Sequence, residues 1–355
     1  MAELSPFSID PWMPIIHRME RGFACFGILL NCILLSMIVH RSPSEIGVYK
    51  YLMMYITIFE LFFGGLEIIT VPQFHTMGSQ FFVFIVPEII EMSDFVLQIS
   101  AMIYCGSFAN SLAIFAVLFA YRYQVLSGNT SWTSLNLRNA MFWGTVPLFV
   151  GLFWTVSTRI FLGRNTFFDI ALSRDPSLAK FQNIRFGFIG SFFYPQLADG
   201  TKVINWDSFI GMAFSTCILF GSEYLMLFYA VKSYLLTKTL MQSACSAIYK
   251  KLQWQLFYAL VSQTFIPILL MQVPMSAIFV SIFFDMSTPT LGHIQTFTIS
   301  IYLATDALPT MFIIKPYRDK IIYRIQCIAS IFKAVLPGQS RTNSSVVEMS
   351  SRHIS

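Results

Sequence analysis

Apolar residues along this chain gather into seven long runs that hold few or no charges. They lie at about 22–39, 51–71, 95–120, 139–158, 208–231, 253–284 and 294–314. Each is close to, or longer than, the roughly 20 apolar residues a helix needs to cross the hydrocarbon core of a bilayer. Lipid offers no partner to a backbone N–H or C=O, so a run of this length must satisfy its own backbone and reads as a helix. The pattern predicts an all-α membrane protein, a seven-transmembrane helix bundle over 22–314. The run at 253–284 is longer than a span requires, so it tilts or projects beyond the membrane.

Between the fourth and fifth runs, residues 159–207 carry charges at Arg159, Arg164, Asp169, Arg174, Asp175, Lys180, Arg185, Asp199, Lys202 and Asp207. No window there is apolar enough to cross, and the segment reads as one long loop. Residues 1–21 lack the basic start and short apolar core of a cleavable signal peptide. The first run then serves as its own insertion signal. After the last run, Ile321, Ile325, Ile328 and Phe332 recur with helical spacing beside Arg318, Lys320 and Arg324. That pattern predicts a juxtamembrane amphipathic helix over 315–336 lying on a leaflet. Cys327 on it is either a palmitoylation site or a plain apolar residue. The final stretch, 337–355, is rich in Ser and Thr and reads as a disordered tail open to phosphorylation.

Composition supports the reading. The chain is 55% hydrophobic and 12% charged, against about 25% charged in soluble domains. Net charge is +5, and the stretch from Lys315 onward accounts for all of it. A basic tail on a neutral body suits an anionic membrane surface better than a nucleic acid. Orientation follows from Lys/Arg bias. With the N-terminus outside the cell and the C-terminus in the cytoplasm, the cytoplasmic pieces hold fifteen Lys/Arg and the outer pieces eight. The sequons at Asn129 and Asn343 then face the cytoplasm, and neither is expected to carry a glycan. Residues 1–21 and 159–207 become extracellular.

No catalytic constellation is present. The five His are scattered, the six Cys lack metal-site spacing, and no phosphate-binding or nucleophile motif occurs. The chain is not expected to be an enzyme or to hold a metal or cofactor. Acids inside the runs are the sharper signal, because a charge at mid-bilayer costs about 2.5–3.5 kcal/mol and turns toward the bundle interior. Glu60 and Asp306 lie near mid-depth, Glu223 in the fifth run, and Glu67 near the end of the second, where it can reach the interface. Local helix-to-helix hydrogen bonding and a polar switch between the second and seventh spans both fit. Pro267 and Pro274, seven residues apart, share one face of the sixth span and suggest a hinge, and Pro309 interrupts the seventh. Tyr121-Arg122-Tyr123 closes the third, where a lone Arg is usually an anchor for headgroups.

Together these stretches resemble a known family. Lys50-Tyr51-Leu52-Met53 with Pro72 and His75, Phe119-Ala120-Tyr121-Arg122-Tyr123, Gln255-Leu256-Phe257 with Gln263, Pro267 and Pro274, and Asp306-Ala307-Leu308-Pro309-Thr310 are similar to motifs of the nematode serpentine chemoreceptors of class r, the Str family. The resemblance covers residues 20–320. It implies a G-protein-coupled olfactory-type receptor in the plasma membrane, in the cilia of chemosensory neurons. It also implies a heterotrimeric G protein at Tyr121, Arg122, Tyr123, Lys250 and Lys251, and arrestin or a receptor kinase on the tail. Glu60, Pro267, Pro274, Asp306 and Pro309 would form the conformational switch. Depth alone places Gln98, Met102, Gln272, Gln295 and Tyr302 around a small odorant. The long loop contains no Cys, so the usual disulfide from that loop to the third helix cannot form. A transporter or channel subunit, and a receptor-like protein that does not signal, are the competing readings. No internal repeat supports the first of these.

Overall fold

The computed structural model describes residues 13–42, 49–86, 91–134, 137–174, 185–196, 200–242 and 246–335. The sequon at Asn343, the tail over 337–355 and Cys245 lie outside the described residues. Among the described residues, seven helical segments are long and apolar enough to span a membrane. The first two are α1 (Met13–Arg41) and α2 (Tyr49–Thr70). After α2 come two short strands, β1 (Gln73–Met77) and β2 (Gln80–Ile85), and then α3 (Asp94–Leu126). A short α4 (Thr130–Thr133) precedes α5 (Leu137–Phe161), the fourth span. The long loop contains α6 (Thr166–Arg174) and β3 (Gly187–Phe192), and α7 (Trp206–Gln242) follows as the fifth span.

The sixth span is built in three pieces. They are α8 (Ala247–Pro267), a π-helical turn over Ile268–Gln272, and α9 (Val273–Phe283). The seventh consists of α10 (Pro289–Thr305) and α11 (Leu308–Ile313), separated by a turn at Asp306 and Ala307. A last helix, α12 (Lys315–Val335), leaves the bundle.

Local chemistry marks several starts. Ser93 caps α3 by accepting from the Val96 N–H, and Asp94 sits in the first turn, where the helix dipole favours an acid. Ser246 caps α8 through the Tyr249 N–H at 3.2 Å. Pro289 opens α10, a position where no N–H is needed.

α3 runs through the centre of the bundle, and nearly every residue from Gly106 to Phe119 is buried. It packs on α2, α5 and α7. Its crossing with α5 depends on small residues. A Cβ on Gly106 would strike Thr155 Oγ1, and one on Gly151 would come within 2.8 Å of the Gly106 carbonyl oxygen. Small residues let membrane helices approach at the backbone, where packing replaces the hydrophobic effect as the adhesive. α7 has 37 residues, which at 1.5 Å per residue is about 55 Å. That exceeds the hydrocarbon core of about 30 Å. α7 and α8 therefore run on together past the end of the bundle that carries α12. Lys250 Nζ holds this hairpin by donating to the Met241 carbonyl at 2.9 Å.

At the opposite end the loops are not irregular. β1, β2 and β3 form one antiparallel sheet in that order, with β2 central. Phe84 opposes Gln73 on one side and Phe188 on the other. The side chains divide between the two faces. Phe74, Phe81, Val83, Ile85 and Ile189 join the main core of the bundle. Phe82, Phe84, Val86 and Phe188 form a second apolar cluster with Phe168 of α6. Phe168 stacks on Phe188 with ring centroids 3.8 Å apart. The expected loop over 159–207 thus contributes a strand and a covering helix to a roof over the bundle.

Candidate functional site

Beneath this roof is a narrow cavity of about 30 Å³. Its upper wall is Phe74, Phe81, Val83 and Ile189 from the sheet. α3 supplies Tyr104, Cys105 and Phe108, and α5 supplies Trp154 and Thr158 with Leu162 just beyond. Met212 and Ser215 come from α7, and Met275 and Phe279 from α9. Aromatic rings form a large part of the lining, with Phe81 edge-on to Phe279 at 6.1 Å and Phe108 against Trp154 at 6.2 Å. Polar groups are few. Thr158 already donates to the Thr155 carbonyl at 2.9 Å. The Ser215 hydroxyl is buried without a hydrogen-bond partner among the described residues. Behind Tyr104 stands Glu67, which is 2% exposed. It is therefore turned into the bundle instead of reaching the interface.

The residues chosen by depth are not gathered around this cavity. Gln98 clasps the sheet, donating to the Phe188 carbonyl at 2.8 Å and accepting its N–H at 3.4 Å. Met102 is half-buried against the main core. Gln272 lies in the π-helical turn and Gln295 on α10, both buried. Tyr302 belongs to a polar cluster deeper in the bundle. Depth along a span gives the level of a residue but not the direction it faces, and most of the lining comes from elements on the other side of α3. The strand residues were legible in principle. Gln80 to Ile85 reads as a short apolar run after Gly78 and Ser79, a strand signature that charge counting does not weigh.

In the middle of the bundle the structure does bring the intramembrane acids together. Tyr302 Oη donates to Glu60 Oε1 at 2.5 Å. Asn31 Nδ2 donates to Asp306 Oδ1 at 3.2 Å and to the Gly27 carbonyl at the same distance. The two carboxyl groups are near enough to interact electrostatically. Glu60 Oε2 and Asp306 Oδ2 are both buried without a hydrogen-bond partner among the described residues. The cluster joins the first, second and seventh spans at the turn where the seventh breaks. Pro309 stands in the first turn of α11, just beyond that break. Thr310 continues the connection, donating to Gln263 of α8 at 3.1 Å. Glu223 sits apart, half-buried on α7.

At the α12 end, Arg122 is buried at 3% exposure. Its Nη2 donates to the Gln253 carbonyl at 2.6 Å, and its guanidinium lies 5.6 Å from the Phe257 ring centroid. It therefore ties α3 to the first turns of α8 and is not a surface anchor. Tyr121 packs edge-on to Trp143 at 5.5 Å. Tyr123 faces Tyr229 at 5.7 Å, with Lys232 Nζ over its ring. Lys251 is exposed on the projecting part of α8.

Between cavity and Arg122 lies the π-helical turn. Pro267 ends α8 and Pro274 occupies the start of α9. Neither has an N–H to give, and the Val273 N–H reaches back five residues to the Ile268 carbonyl. The wide turn absorbs the ladder bonds that two prolines remove, which is a recognised cause of a bend.

Comparison with known families matches residues 16–322 to the serpentine type seven-transmembrane G-protein-coupled chemoreceptor family Str. The chain belongs to the Str family. Among similar proteins, the G-protein coupled receptor str-217 of Caenorhabditis elegans is 27% identical over 310 residues, covering 84% of this chain and 87% of the relative. The serpentine receptor class r-10 of Caenorhabditis elegans is 26% identical over 325 residues, covering 89% and 92%. A receptor of the same name from Caenorhabditis briggsae is 24% identical over 321 residues. The Str motifs quoted from the sequence are separated along the chain, yet three of them meet in space. The sixth-span motif touches the seventh through Gln263 and Thr310. Arg122 of the third-span motif and Phe257 of the sixth-span motif lie against one another. Asp306 of the seventh-span motif is held by Asn31 of the first span.

Proposed function

We propose that this Str-family protein is a chemosensory receptor. It takes a small, neutral, mostly apolar odorant in the cavity under the sheet and activates a heterotrimeric G protein at the α12 end. The sheet then faces outside the cell and α12 the cytoplasm, as the Lys/Arg distribution requires. The plasma membrane of sensory cilia is the proposed location. One observation carries the reading: the sixth span reaches both sites. Met275 and Phe279 of α9 line the cavity, while Gln253 and Phe257 of α8 hold Arg122. The π-helical turn lies between them.

The cavity is too small for an odorant as it stands, so binding requires lining groups to move. Met212 and Met275 are unbranched and adaptable, and suit that task. Displacement of α9 is relayed through the turn to α8, which loosens the clasp on Arg122 and opens the face next to Lys250 and Lys251. A ligand that binds the open arrangement more tightly shifts the population toward it. The buried acids Glu60 and Asp306 act as a switch at the break in the seventh span. Tail serines and threonines are the proposed sites for a receptor kinase and arrestin.

The test is a ligand panel applied to cells that express the chain with a promiscuous G protein, read as calcium. A response abolished by Arg122→Ala, with the variant still at the surface, supports the reading. A response that Arg122→Ala leaves intact removes the proposed coupling site.

A further inference from the structure

Outside the bundle, a groove of about 870 Å³ runs between α1, α11 and α12. Its floor is apolar, made by Leu30, Ile33 and Met37 of α1 with Leu308 and Phe312 of α11. At the end nearest α12 the rim is basic: His40 and Arg41 from α1, Lys320 and Arg324 from α12. No acid lines it among the described residues. The nearest acid in sequence, Asp319, is 3.9 Å from Arg318 instead. The base of the groove is fixed, because Ser42 Oγ and Tyr317 Oη share a hydrogen bond of 2.7 Å that fastens α12 to the end of α1. Burial raises the Tyr317 phenol above its ordinary value, against the opposing effect of the Ser42 hydrogen bond.

We propose that this groove is a binding site for an anionic phospholipid, with the headgroup at the basic rim and an acyl chain along the floor. Charge and dimensions both argue for that occupant. From Leu30 to Arg41 is eleven helical steps, about 16 Å at 1.5 Å each. That is about half the hydrocarbon core, the depth of one leaflet. A soluble anion would need the rim but not the floor. A neutral lipid would need the floor but not the rim. In the orientation proposed above the groove opens to the inner leaflet, where anionic lipids concentrate. The bound lipid braces α11 just beyond the break at Asp306 and so favours one arrangement of the seventh span.

The experiment uses the full chain in nanodiscs of phosphatidylcholine containing a phosphatidylserine probe with a photoreactive group on its acyl chain. Both leaflets carry the probe, so the result does not depend on orientation or on the odorant reading. Label is expected on α1 between Leu30 and Arg41 and on α11. Unlabelled phosphatidylserine is expected to compete, and phosphatidylcholine and soluble glycerophosphoserine are not. Lys320→Gln with Arg324→Gln should weaken labelling by about thirtyfold, since each basic residue near a charged surface contributes about fivefold. Lys238→Gln with Lys251→Gln, on the projecting hairpin, should leave labelling unchanged. Equal labelling by a phosphatidylcholine probe overturns the proposal, as does an equal loss in the hairpin variant. Competition by glycerophosphoserine alone would make it an anion site without a lipid. Labelling that emerges only in Cys327→Ala would give the groove to the chain's own acyl group. Cross-links between two copies would make it a dimer face.

Discussion

Arg122 shows how much one side chain decides at the residue scale. A buried guanidinium needs partners, and here they are the Gln253 carbonyl and the face of Phe257. Phe257→Ala removes the ring but leaves the hydrogen bond, so the clasp weakens without unpairing the charge. The expected outcome is higher ligand-independent signalling at normal surface level, measured as basal calcium with the promiscuous G protein. Unchanged basal activity would mean that the clasp does not restrain α8. Tyr302→Phe tests the polar cluster in the same way. It leaves Glu60 without its donor, and a buried acceptor stripped of its partner costs about 1–3 kcal/mol. The melting temperature of the solubilised protein should fall accordingly. Arg122 was legible in the sequence because charge at the edge of an apolar run stands out. Its partner was not, because a backbone carbonyl has no sequence signature.

Elements differ in how clearly the sequence announces them. The spans were plain because lipid excludes charge, and uncharged runs are easily seen. The break in the sixth span was visible in Pro267 and Pro274, but its form as a π-helical turn was not. If the wide turn serves as a hinge, Pro267→Ala with Pro274→Ala should return donors to the ladder and stiffen the span. Ligand affinity should stay within a few-fold while maximal signalling falls, read by ligand binding beside a calcium dose–response. The sheet left only a faint trace, the short apolar run after Gly78 and Ser79. β2 is covered on one side by the bundle and on the other by Phe168, so its apolar run lacks the alternation of a half-exposed strand. The helix crossing at Gly106 and Gly151 is equally specific. Gly151→Leu should abolish surface expression. Gly144→Ala should not, because nothing lies within 4 Å of its added Cβ. Antibody staining of intact and permeabilised cells distinguishes the two.

Across the whole molecule, the cavity and the Arg122 clasp are at opposite ends, and the acids at Glu60 and Asp306 lie between them. Two carboxylate oxygens of the buried cluster have no hydrogen-bond partner among the described residues, and a cluster acting as the proposed switch is expected to answer to a small cation. Sodium in the assay buffer is expected to shift ligand potency, and Asp306→Asn to remove the dependence. Potency that ignores sodium in the parent protein would reduce the cluster to hydrogen bonding between helices. The roof has a separate consequence. Its strands are held by backbone bonds, and Phe74, Phe81, Val83 and Ile189 line the cavity below. A change at any of these reshapes the cavity while the backbone ladder, the π-helical turn and the Arg122 clasp keep their own residues. On the proposed function, ligand preference would therefore shift by single substitutions on a loop-borne surface, and the taste of the receptor could change while the opposite end of the bundle stayed as it is.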